Sequence, residues 1–475
     1  MTSVHAEPPR AEPASYAGLR VGVVGLGVEG QDAVRFLHAE GASTIVVFDR
    51  RSAAEFADLH AALNDADFEL RPDSPRSLDA ADFDALIVSQ GILDAHPLVA
   101  AAHASGLPIS ATTRLFLQRC PTPVIGITGS AGKTTTTTLV HRLLQAAGRR
   151  VVVGGNIGGG LLAQLDAIDR NTAVVLEISH TQLLRTDRSP HLAAVLNITP
   201  NHLDQFDWAA YVDLKRNLVQ HQTPDDIVVL PIDNAEAAAL ASDTPARRYW
   251  FGTTPGEHGA FIEDDRIIWR DDGAQQDVAP LSAIQLRGPH NVQNVLAAVA
   301  IVGAWGAPLE SAATTIADFQ GVPQRLEEIA TIDGVLYIND SIATTPERTL
   351  AALRSFDAPI VLLLGGREKQ LPLDELAAEA RKRTRAVVGF GEAGAAFLAP
   401  LGTSTDVPAL RNVPALPEAV SSAHELAQPG DVVLLSPAGT SFDAYADFSD
   451  RGRHFVELVQ ALARERIERG GDGAS

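Results

Sequence analysis

VIGITGSAGKTT, residues 124–135, predicts a β-strand that leads through a glycine-containing loop into an α-helix. Apolar residues form the first half of this stretch, and residues 136–147 after it have helical spacing. Glycines in the loop let backbone N–H groups turn inward around a polyphosphate, and the positive end of the helix dipole adds to that attraction. Lys133 can bridge the β and γ phosphates of a nucleoside triphosphate, and the Thr134 hydroxyl can reach Mg²⁺. The stretch therefore predicts a phosphate-binding loop in an α/β domain.

The spacing of this loop departs from the standard pattern. A glycine is expected five positions before Gly132, where Ile127 stands, and Gly126 comes one position too early. A tight strand-to-helix turn with a solvated lysine is therefore a competing interpretation. A bound triphosphate needs oxygen ligands for magnesium, and ligand groups gather at the carboxyl ends of parallel strands. Glu177 ends one predicted strand and His202 follows another, so both are candidate partners of the loop.

A second glycine loop lies nearer the N-terminus. Gly25, Gly27 and Gly30 follow a short apolar strand and open a helix, and Asp49 stands at the end of the next strand. This matches the dinucleotide-binding fingerprint. Three interpretations stay open: an NAD site with Asp49 on a ribose, a UDP-linked ligand with its diphosphate on the helix N-terminus, or a close helix–strand turn without a ligand.

Strands alternate with helical segments along the whole chain, which predicts parallel β-α-β units. Besides the strand before the phosphate loop, the predicted strands are residues 20–24, 45–49, 85–89, 173–177, 193–197, 227–230, 335–339, 360–364, 386–390 and 432–435. An Asp-rich stretch, 260–278, predicts a hairpin insertion, and residues 289–305 predict an alanine-rich helix.

This pattern predicts an α/β protein of three domains in series. A disordered lead-in covers residues 1–17, a Rossmann-like domain 18–120, a central P-loop ATPase-type parallel sheet 121–321, and a second Rossmann-like domain 322–475. The length of 475 residues agrees with about two to four domains.

Composition limits the possible partners. The net charge of −21 argues against a protein that binds nucleic acid or an anionic membrane, because such a contact surface must be basic. A single cysteine, Cys120, excludes an intrachain disulfide and suits a reducing compartment. No apolar run approaches the roughly 18–20 residues that span a bilayer. We therefore expect a cytoplasmic protein.

Several segments, taken together and in order, resemble the Mur ligases, which are ATP-dependent amide-forming enzymes of peptidoglycan precursor synthesis. The segments are residues 128–135, 155–158, 177–183, 201–204, 290–294 and 339–341. LSPAGTSFD at 435–443, followed by Phe448, Arg451, Gly452 and Phe455, resembles the member that adds D-glutamate to UDP-N-acetylmuramoyl-L-alanine. The resemblance extends from Leu19 to about Ala463.

The resemblance implies a role for individual residues. The UDP substrate would be bound by Gly27, Val28, Glu29, Asp49, Asn156 and His202. ATP would be bound by Gly129, Ser130, Ala131, Gly132, Lys133, Thr134, Thr135, Asn294, Arg325 and Asp340. Mg²⁺ would be held by Thr134, Glu177, His202 and, if carbamylated, Lys215. Glutamate would be bound by Thr344, Lys369, Ser441 and Phe448. The catalytic residues would be Lys133, His202, Lys215 and Arg325. The resemblance also leads us to expect a monomer.

Three places depart from the family pattern. Ile342 stands where many members have a lysine that helps hold glutamate, and Gln90 stands where a proline is common. Residues 179–182 read SHTQ where the family usually has SSFQ. Ile342 cannot pair with a carboxylate, so Lys369 or another base would carry that role.

Competing functions remain at this stage. A ligase that uses L-glutamate is the nearest, given Ile342. An NAD-dependent oxidoreductase is favoured only by the first glycine loop. A nucleotide-sensing module without turnover is the third. A folyl-polyglutamate synthase shares the central and last domains, but the first domain argues against it.

Overall fold

A computed structural model describes residues 13–51, 67–74, 78–157, 160–200, 206–286, 288–368, 371–402 and 409–471. The chain divides into two compact units, Met1–Phe319 and Gln320–Ser475. The first unit contains two sheets and the second contains one. Within the described ranges, no helix has both the length and the apolar character needed to cross a bilayer.

The first sheet is parallel and has the strand order β3-β2-β1-β4-β5. Its strands are β1 (Arg20–Val24), β2 (Thr44–Asp49), β3 (Glu69–Pro72), β4 (Ala85–Val88) and β5 (Ile109–Ser110), and its helices are α1 (Val28–Ala39), α2 (Pro97–Ala104) and α3 (Thr112–Arg119). The strand order reverses between β1 and β4, and ligands of open α/β sheets bind at such a switch point. The first glycine loop, between β1 and α1, lies there.

The second sheet has nine strands in the order β14-β13-β12-β11-β10-β9-β6-β8-β7. They are β6 (Val124–Thr128), β7 (Arg150–Gly155), β8 (Thr172–Glu177), β9 (Leu192–Val195), β10 (Ile227–Pro231), β11 (Arg247–Gly252), β12 (Gly259–Glu263), β13 (Arg266–Asp271) and β14 (Ala274–Pro280). The helices are α4 (Lys133–Ala146), α5 (His180–Leu183), α6 (Trp208–Arg216), α7 (Ala235–Ala239), α8 (Pro289–Ala304) and α9 (Ala312–Ala317). β12, β13 and β14 pair antiparallel, which confirms the predicted hairpin insertion.

The third sheet forms the second unit and has the order β15-β16-β20-β17-β18-β19. Its strands are β15 (Glu327–Ile332), β16 (Val335–Asn339), β17 (Ile360–Gly365), β18 (Thr384–Phe390), β19 (Ala409–Val413) and β20 (Val432–Ala438). The helices are α10 (Pro346–Leu353), α11 (Asp374–Arg383), α12 (Gly394–Leu398), α13 (Leu416–Leu426) and α14 (Phe448–Gly471). Among the described pairs of this sheet, only β15–β16 is antiparallel. Together with the first two sheets, this confirms the predicted α/β class.

The start of the ordered chain differs from the prediction. Tyr16 falls inside the predicted lead-in of residues 1–17, yet it is fully buried and packs edge-on against Phe36 of α1. Arg119 also donates a hydrogen bond to the Ala14 carbonyl at 2.8 Å. The end of the lead-in is therefore part of the first core, while residues 1–12 lie outside the described residues.

Asp32 of α1 links the first sheet's helix layer to the second sheet's domain. Its carboxylate is buried and accepts hydrogen bonds from the backbone N–H groups of Leu162 (2.7 Å) and Ala163 (2.9 Å). A Cβ on Gly160 would lie 2.4 Å from Asp32 Oδ1, so only glycine fits beside it. The carboxylate thus caps the short 3₁₀ helix Leu162–Ala167.

Asp32→Ala is expected to lower the free energy of unfolding of the first unit by about 2–3 kcal/mol, because the N–H groups of Leu162 and Ala163 lose their carboxylate acceptor. The measurement is urea unfolding followed by tryptophan fluorescence, since Trp208, Trp250, Trp269 and Trp305 all lie in this unit. Asp166→Ala, at an exposed site on the same 3₁₀ helix, is the control and should change little. Equal stabilities of the two variants would contradict the capping role.

Candidate functional site

The phosphate loop is built on a glycine that no other residue can replace. Gly132 has φ +82° and immediately precedes α4, and a Cβ there would lie 2.2 Å from Asn294 Oδ1. Asn197 holds the loop from the end of β9: its Oδ1 accepts from Ala131 N (2.9 Å) and its Nδ2 donates to Ala131 O (3.1 Å). The helix N-terminus behind the loop carries N–H groups without helical acceptors, which is the setting that binds an anion.

Lys133 lies directly over this loop. Its Nζ donates to the carbonyl oxygens of Gly129 (2.8 Å) and Ser130 (3.4 Å). The Ser130 hydroxyl is fixed in turn, 3.0 Å from both Thr199 O and the Tyr211 hydroxyl. The ammonium group is therefore at the loop that it is predicted to serve, and the interpretation as a solvated surface lysine is not supported.

Glu177, the last residue of β8, carries an oxygen without a partner. The residue is 1% exposed, and its Oε1 accepts from Asn156 Nδ2 at 2.7 Å. Its Oε2 is buried and has no hydrogen-bond partner among the described residues. A buried carboxylate oxygen left in this way is unfavourable unless a donor or a cation supplies the missing contact. Mg²⁺ prefers such oxygens, so this donor set fits the predicted metal.

Asn156 belongs to the same cluster, which the sequence did not indicate. Its amide nitrogen contacts Glu177, and its backbone N–H donates to Glu177 O at 2.7 Å. Gly155 before it has φ +92°, and a Cβ there would lie 2.1 Å from Glu177 O. The predicted contact of Asn156 with the muramoyl substrate would therefore come from its Oδ1 or from the second N–H of its Nδ2.

Lys215 of α6 points into the core and not to solvent. It is 1% exposed, and its Nζ donates to Thr128 Oγ1 (2.9 Å) and Gly129 O (3.4 Å). Burial, and next the charge of Lys133, lower the pKa of Lys215 well below its ordinary value, while Glu177 opposes the shift. A lowered pKa favours the uncharged amine, which is the form that carbamylation requires, and the buried position excludes an ordinary amphipathic-helix lysine.

Asn294, in the first turns of α8, lies beneath the phosphate loop. It is 6% exposed, its Oδ1 accepts from Thr136 Oγ1 at 3.5 Å, and its Nδ2 donates to Asn291 Oδ1 at 3.0 Å. These contacts support the loop from below. The predicted contact with adenine is untested and stays a prediction.

The first glycine loop also depends on glycine. A Cβ on Gly30, within α1, would lie 1.9 Å from Gly25 O, so the helix could not approach the strand with any other residue. Leu26 N in the loop donates to Asp49 Oδ2 at 2.7 Å. A cleft of ≈ 470 Å³ opens beside it, lined among others by Phe48, Asp49, Arg51, Gly91, Ile92 and His96.

Asp49 uses its full acceptor capacity within the protein. Besides Leu26 N, its oxygens accept from Arg51 N, Nε and Nη2, each at 3.0 Å. Burial acts to raise its pKa, but these hydrogen bonds outweigh it and lower the pKa of Asp49 to about 2. A carboxylate has about four acceptor positions, so none remains for the ribose hydroxyls of a dinucleotide. The count applies equally to the predicted contact of Asp49 with the UDP substrate, so either contact would require the half-exposed Arg51 guanidinium to move aside.

The carboxylate of Glu29 points toward the domain of the second sheet and not into the cleft. Its Oε2 accepts from Gln90 N (2.8 Å) and its Oε1 from Gln182 Nε2 (3.0 Å). Burial raises the pKa of Glu29, and these hydrogen bonds oppose the rise. Of the predicted diphosphate contacts, Glu29 can thus contribute its backbone N–H, since its side chain is committed elsewhere.

The same network includes one of the departures from the family pattern, Gln90. Ser179 caps α5 in a reciprocal arrangement with Gln182, and the Ser179 hydroxyl donates to Gln90 Oε1 at 3.3 Å. Gln90 and the 179–182 segment are therefore hydrogen-bonded partners across the two domains of the first unit. The network lies two residues after Glu177, so it also supports the end of β8.

In the second unit, predicted residues gather at the carboxyl ends of β16 and β20. Asp340 is 5% exposed, and its carboxylate accepts from Ser436 Oγ (2.9 Å) and Leu326 N (3.2 Å). The Ser341 hydroxyl donates to Phe448 O at 2.8 Å. Ser441, at 2% exposure, follows β20 on the same edge. Their roles toward ATP and glutamate stay predictions, as do those of Arg325 and Thr344.

Two predicted site residues lie outside the described residues. His202 falls in 201–205 and Lys369 in 369–370. The predicted contacts of His202 with Mg²⁺ and the UDP substrate, and of Lys369 with glutamate, are therefore untested.

We expect the buried carboxyl group of Asp340 to make the stability of the second unit depend on pH. Burial raises its pKa to about 7, against the hydrogen bonds from Ser436 and Leu326 and the charges of Arg325 and Arg348. Because the folded-state pKa exceeds the unfolded value, the contribution to stability is full below about pH 4 and is lost as the pH rises through 7.

Asp340→Asn removes that titration, so its stability relative to the wild type is expected to rise between pH 4 and pH 7 by up to about 4 kcal/mol and then level off. Hydrogen exchange of peptides from the second unit, without nucleotide, measures this. Asp374→Asn, at an exposed position of α11, is the control. A stability difference that is flat over this pH range would contradict the buried ionisation.

Comparison with known proteins agrees with this geometry. Three family models match the chain: the Mur ligase MurD-like, N-terminal domain at residues 19–111, the Mur ligase middle domain at 127–302, and the Mur ligase, glutamate ligase domain at 324–439. The chain belongs to the Mur ligase family.

Two relatives match over most of their length. The UDP-N-acetylmuramoylalanine–D-glutamate ligase of Symbiobacterium thermophilum is 40% identical over 448 residues, 94% of this chain and 98% of that one. The ligase of the same name from Koribacter versatilis is 36% identical over 451 residues, again 94% and 98%.

Solved structures share the fold. UDP-N-acetylmuramate-alanine ligase MurC from Thermotoga maritima is 19% identical with a TM-score of 0.54, covering 94% of this chain and 100% of its own. MurF from Acinetobacter baumannii is 18% identical with a TM-score of 0.52, covering 93% of each chain. At this identity the likeness concerns the fold alone.

Proposed function

We propose that this chain is an ATP-dependent carbon–nitrogen ligase that joins D-glutamate to UDP-N-acetylmuramoyl-L-alanine, in peptidoglycan precursor synthesis. The observation that carries the proposal is the cluster around the phosphate loop, where Lys133, the buried Lys215 and the unsatisfied Glu177 Oε2 meet. The names of the two relatives supply the substrate class.

The chemical problem is that a carboxylate is a poor electrophile. In the proposed reaction, a carboxylate oxygen of the UDP substrate takes the γ-phosphoryl group of ATP, and ADP leaves. The amine of glutamate then attacks the acyl carbon, orthophosphate leaves with the former carboxylate oxygen, and the amine loses a proton. An acyl phosphate joins the two steps.

Residues of the chain stabilise the charge of this transfer. Lys133 and the N-terminus of α4 hold the phosphate oxygens in the first unit. Thr134, Glu177 and His202 would hold Mg²⁺, which neutralises phosphate charge when bound. Arg325 and Asp340 would contact the nucleotide.

Lys215 has a separate proposed role. An uncharged amine adds to CO₂ and releases a proton, which gives a carbamate with two oxygens. Such a group beside Thr128 and Gly129 would add an anionic oxygen ligand near the phosphate loop. It would also replace a buried amine by a carboxylate-like partner for cations.

The substrate sites follow from the positions described above. The first glycine loop would hold the diphosphate of the UDP substrate with the backbone at Gly27, Val28 and Glu29. Glutamate would meet Thr344, Ser441, Phe448 and Lys369. We further propose a cytoplasmic location, because ATP and the diffusible substrates are available there, and the predicted monomer stays a prediction.

The experiment is an amino-acid panel with UDP-N-acetylmuramoyl-L-alanine, ATP and Mg²⁺, read as orthophosphate release and amide product. D-Glutamate is expected to support turnover, and L-glutamate is expected to support at least about 100-fold less, since stereochemical misplacement of the amine disrupts the near-attack geometry. Preference for L-glutamate would favour the competing ligase. No orthophosphate with any amino acid would contradict the proposed function.

A further inference from the structure

Arg451, in the first turn of α14, is a fully buried arginine. Within the described part of the chain it forms no ion pair with a carboxylate, and its hydrogen-bond acceptors are neutral. Its Nε donates to Ser341 Oγ (3.0 Å), Nη2 to Ser341 O (3.0 Å), and both Nη1 and Nη2 to Gly439 O (3.1 Å each).

These contacts join three strand ends. Ser341 follows β16 and Gly439 follows β20, while a Cβ on Gly366, after β17, would lie 2.8 Å from Arg451 Nη1. β16, β20 and β17 are neighbours in the third sheet, so the guanidinium lies under the carboxyl edge of its central strands. Ligands of parallel sheets bind at that edge.

The same contacts fix two predicted glutamate positions. The Ser341 hydroxyl that accepts from Arg451 Nε also donates to Phe448 O at 2.8 Å. Gly439, whose carbonyl accepts twice from Arg451, lies two residues before Ser441. A shift of the guanidinium would therefore move both sides of the predicted amino-acid site.

The positive charge of Arg451 is also unusual for a fully buried side chain. Burial lowers the pKa of Arg451 to about 10, with Asp443 and Tyr445 opposing the shift, so the group stays protonated at neutral pH. Neutral carbonyl and hydroxyl oxygens accept its hydrogen bonds, and Asp443 offsets its charge through space without forming an ion pair. A cation kept in such a place is suited to an anion that arrives, and Ile342 leaves this edge without the lysine that the family pattern has there.

We propose that Arg451 is the positioning residue of the amino-acid site, holding Ser341, Gly439 and Phe448 in place and supplying the positive charge that attracts a dicarboxylic amino acid. This inference rests on the proposed ligase function. The forked hydrogen-bond donors of the guanidinium hold the strand ends in place. Its charge favours glutamate over amino acids with neutral side chains.

Two substitutions separate the hydrogen-bonding geometry of the guanidinium fork from its positive charge. Arg451→Lys keeps the charge and loses the fork, and Arg451→Met keeps the approximate length and loses both. The expected result is that KM for glutamate rises about 10-fold in Arg451→Lys and at least about 100-fold in Arg451→Met, in line with the loss of charge-assisted contacts. KM for ATP and for the UDP substrate should change less than about twofold, since Arg451 contacts neither predicted site.

Ser341→Ala guards against a variant that fails to fold. It removes the hydroxyl link between Arg451 and Phe448, and KM for glutamate should rise alone, by about 3- to 10-fold, as expected for one neutral hydrogen bond. Ser421→Ala, at an exposed position of α13, is the control and should match the wild type.

Folded variants with an unchanged KM for glutamate, or with all three KM values raised equally, would overturn the inference. If Arg451→Met does not fold, Arg451→Lys and Ser341→Ala decide by the same criterion. Wild-type protein that forms no amide would overturn the proposed function and this inference with it, whereas active wild type with unaffected variants would overturn this inference alone.

Discussion

Lys133→Ala is expected to lower the rate of amide formation by at least about 10³-fold, as for other preorganised charges on a transferring phosphoryl group. The ammonium lies over the loop at 2.8 Å from Gly129 O, where no other described lysine except the buried Lys215 can replace it. Its charge matters most in the transition state, so kcat should fall more than KM for ATP rises. Initial rates of orthophosphate release measure both.

Lys382→Ala is the matched control. Lys382 lies on α11 in the second unit with its side chain 71% exposed, and its nearest ion-pair partner is Glu379 at 3.8 Å. Removal of this charge should leave kcat and KM unchanged within experimental error. A Lys133→Ala enzyme with normal turnover would contradict the phosphate-loop assignment.

Glu177→Gln is expected to reduce turnover by about 10²- to 10³-fold, because one charged metal ligand is lost while size and shape are kept. The wild type should gain thermal stability on addition of Mg²⁺ alone, since the cation supplies a partner for the buried Oε2. The variant should lose that gain. Differential scanning fluorimetry across a Mg²⁺ series measures this effect independently of activity.

Glu310→Gln, at an exposed position of the same unit, controls for the change of charge. Its Mg²⁺-dependent gain in melting temperature should equal that of the wild type. An equal gain in Glu177→Gln would show that Mg²⁺ binds elsewhere and would remove Glu177 from the metal site.

The sequence predicted the parts of the molecule that depend on local pattern. Buried parallel strands are nearly continuous apolar runs, so those before both glycine loops were predicted within a residue of their observed bounds. The strands that the sequence pattern did not predict were mostly β3, β5, β7, β15 and β19, each at the edge of its sheet. An edge strand is partly exposed and mixes polar with apolar residues, which hides it from a hydrophobicity pattern.

The helix after the phosphate loop was predicted from residue 136 and begins three residues earlier. The structure begins α4 at Lys133 and α1 at Val28, because Gly132 and Gly27 directly precede the first helical turn. A pattern of apolar spacing finds the buried face of a helix, whereas the polar first turn belongs to the ligand side. The residues that matter for phosphate binding therefore lie inside the helices.

Contacts between distant segments were beyond local pattern. Glu29 meets Gln182 across 153 positions, and Arg451 meets Ser341 across 110. In sequence, Glu29 is only an acidic residue of a first helical turn, and Arg451 only part of a family motif. Asn197 was the last residue of a predicted strand, but nothing in its neighbours indicated that it holds the phosphate loop.

In the proposed reaction, a carboxylate becomes reactive by taking a phosphoryl group from ATP. The direct measurement uses UDP-N-acetylmuramoyl-L-alanine labelled with ¹⁸O in its alanyl carboxylate, together with ATP, Mg²⁺ and D-glutamate, and mass analysis of the orthophosphate released. Transfer through an acyl phosphate predicts one ¹⁸O in the orthophosphate for each amide bond formed. Amide product accompanied by unlabelled orthophosphate would contradict the account.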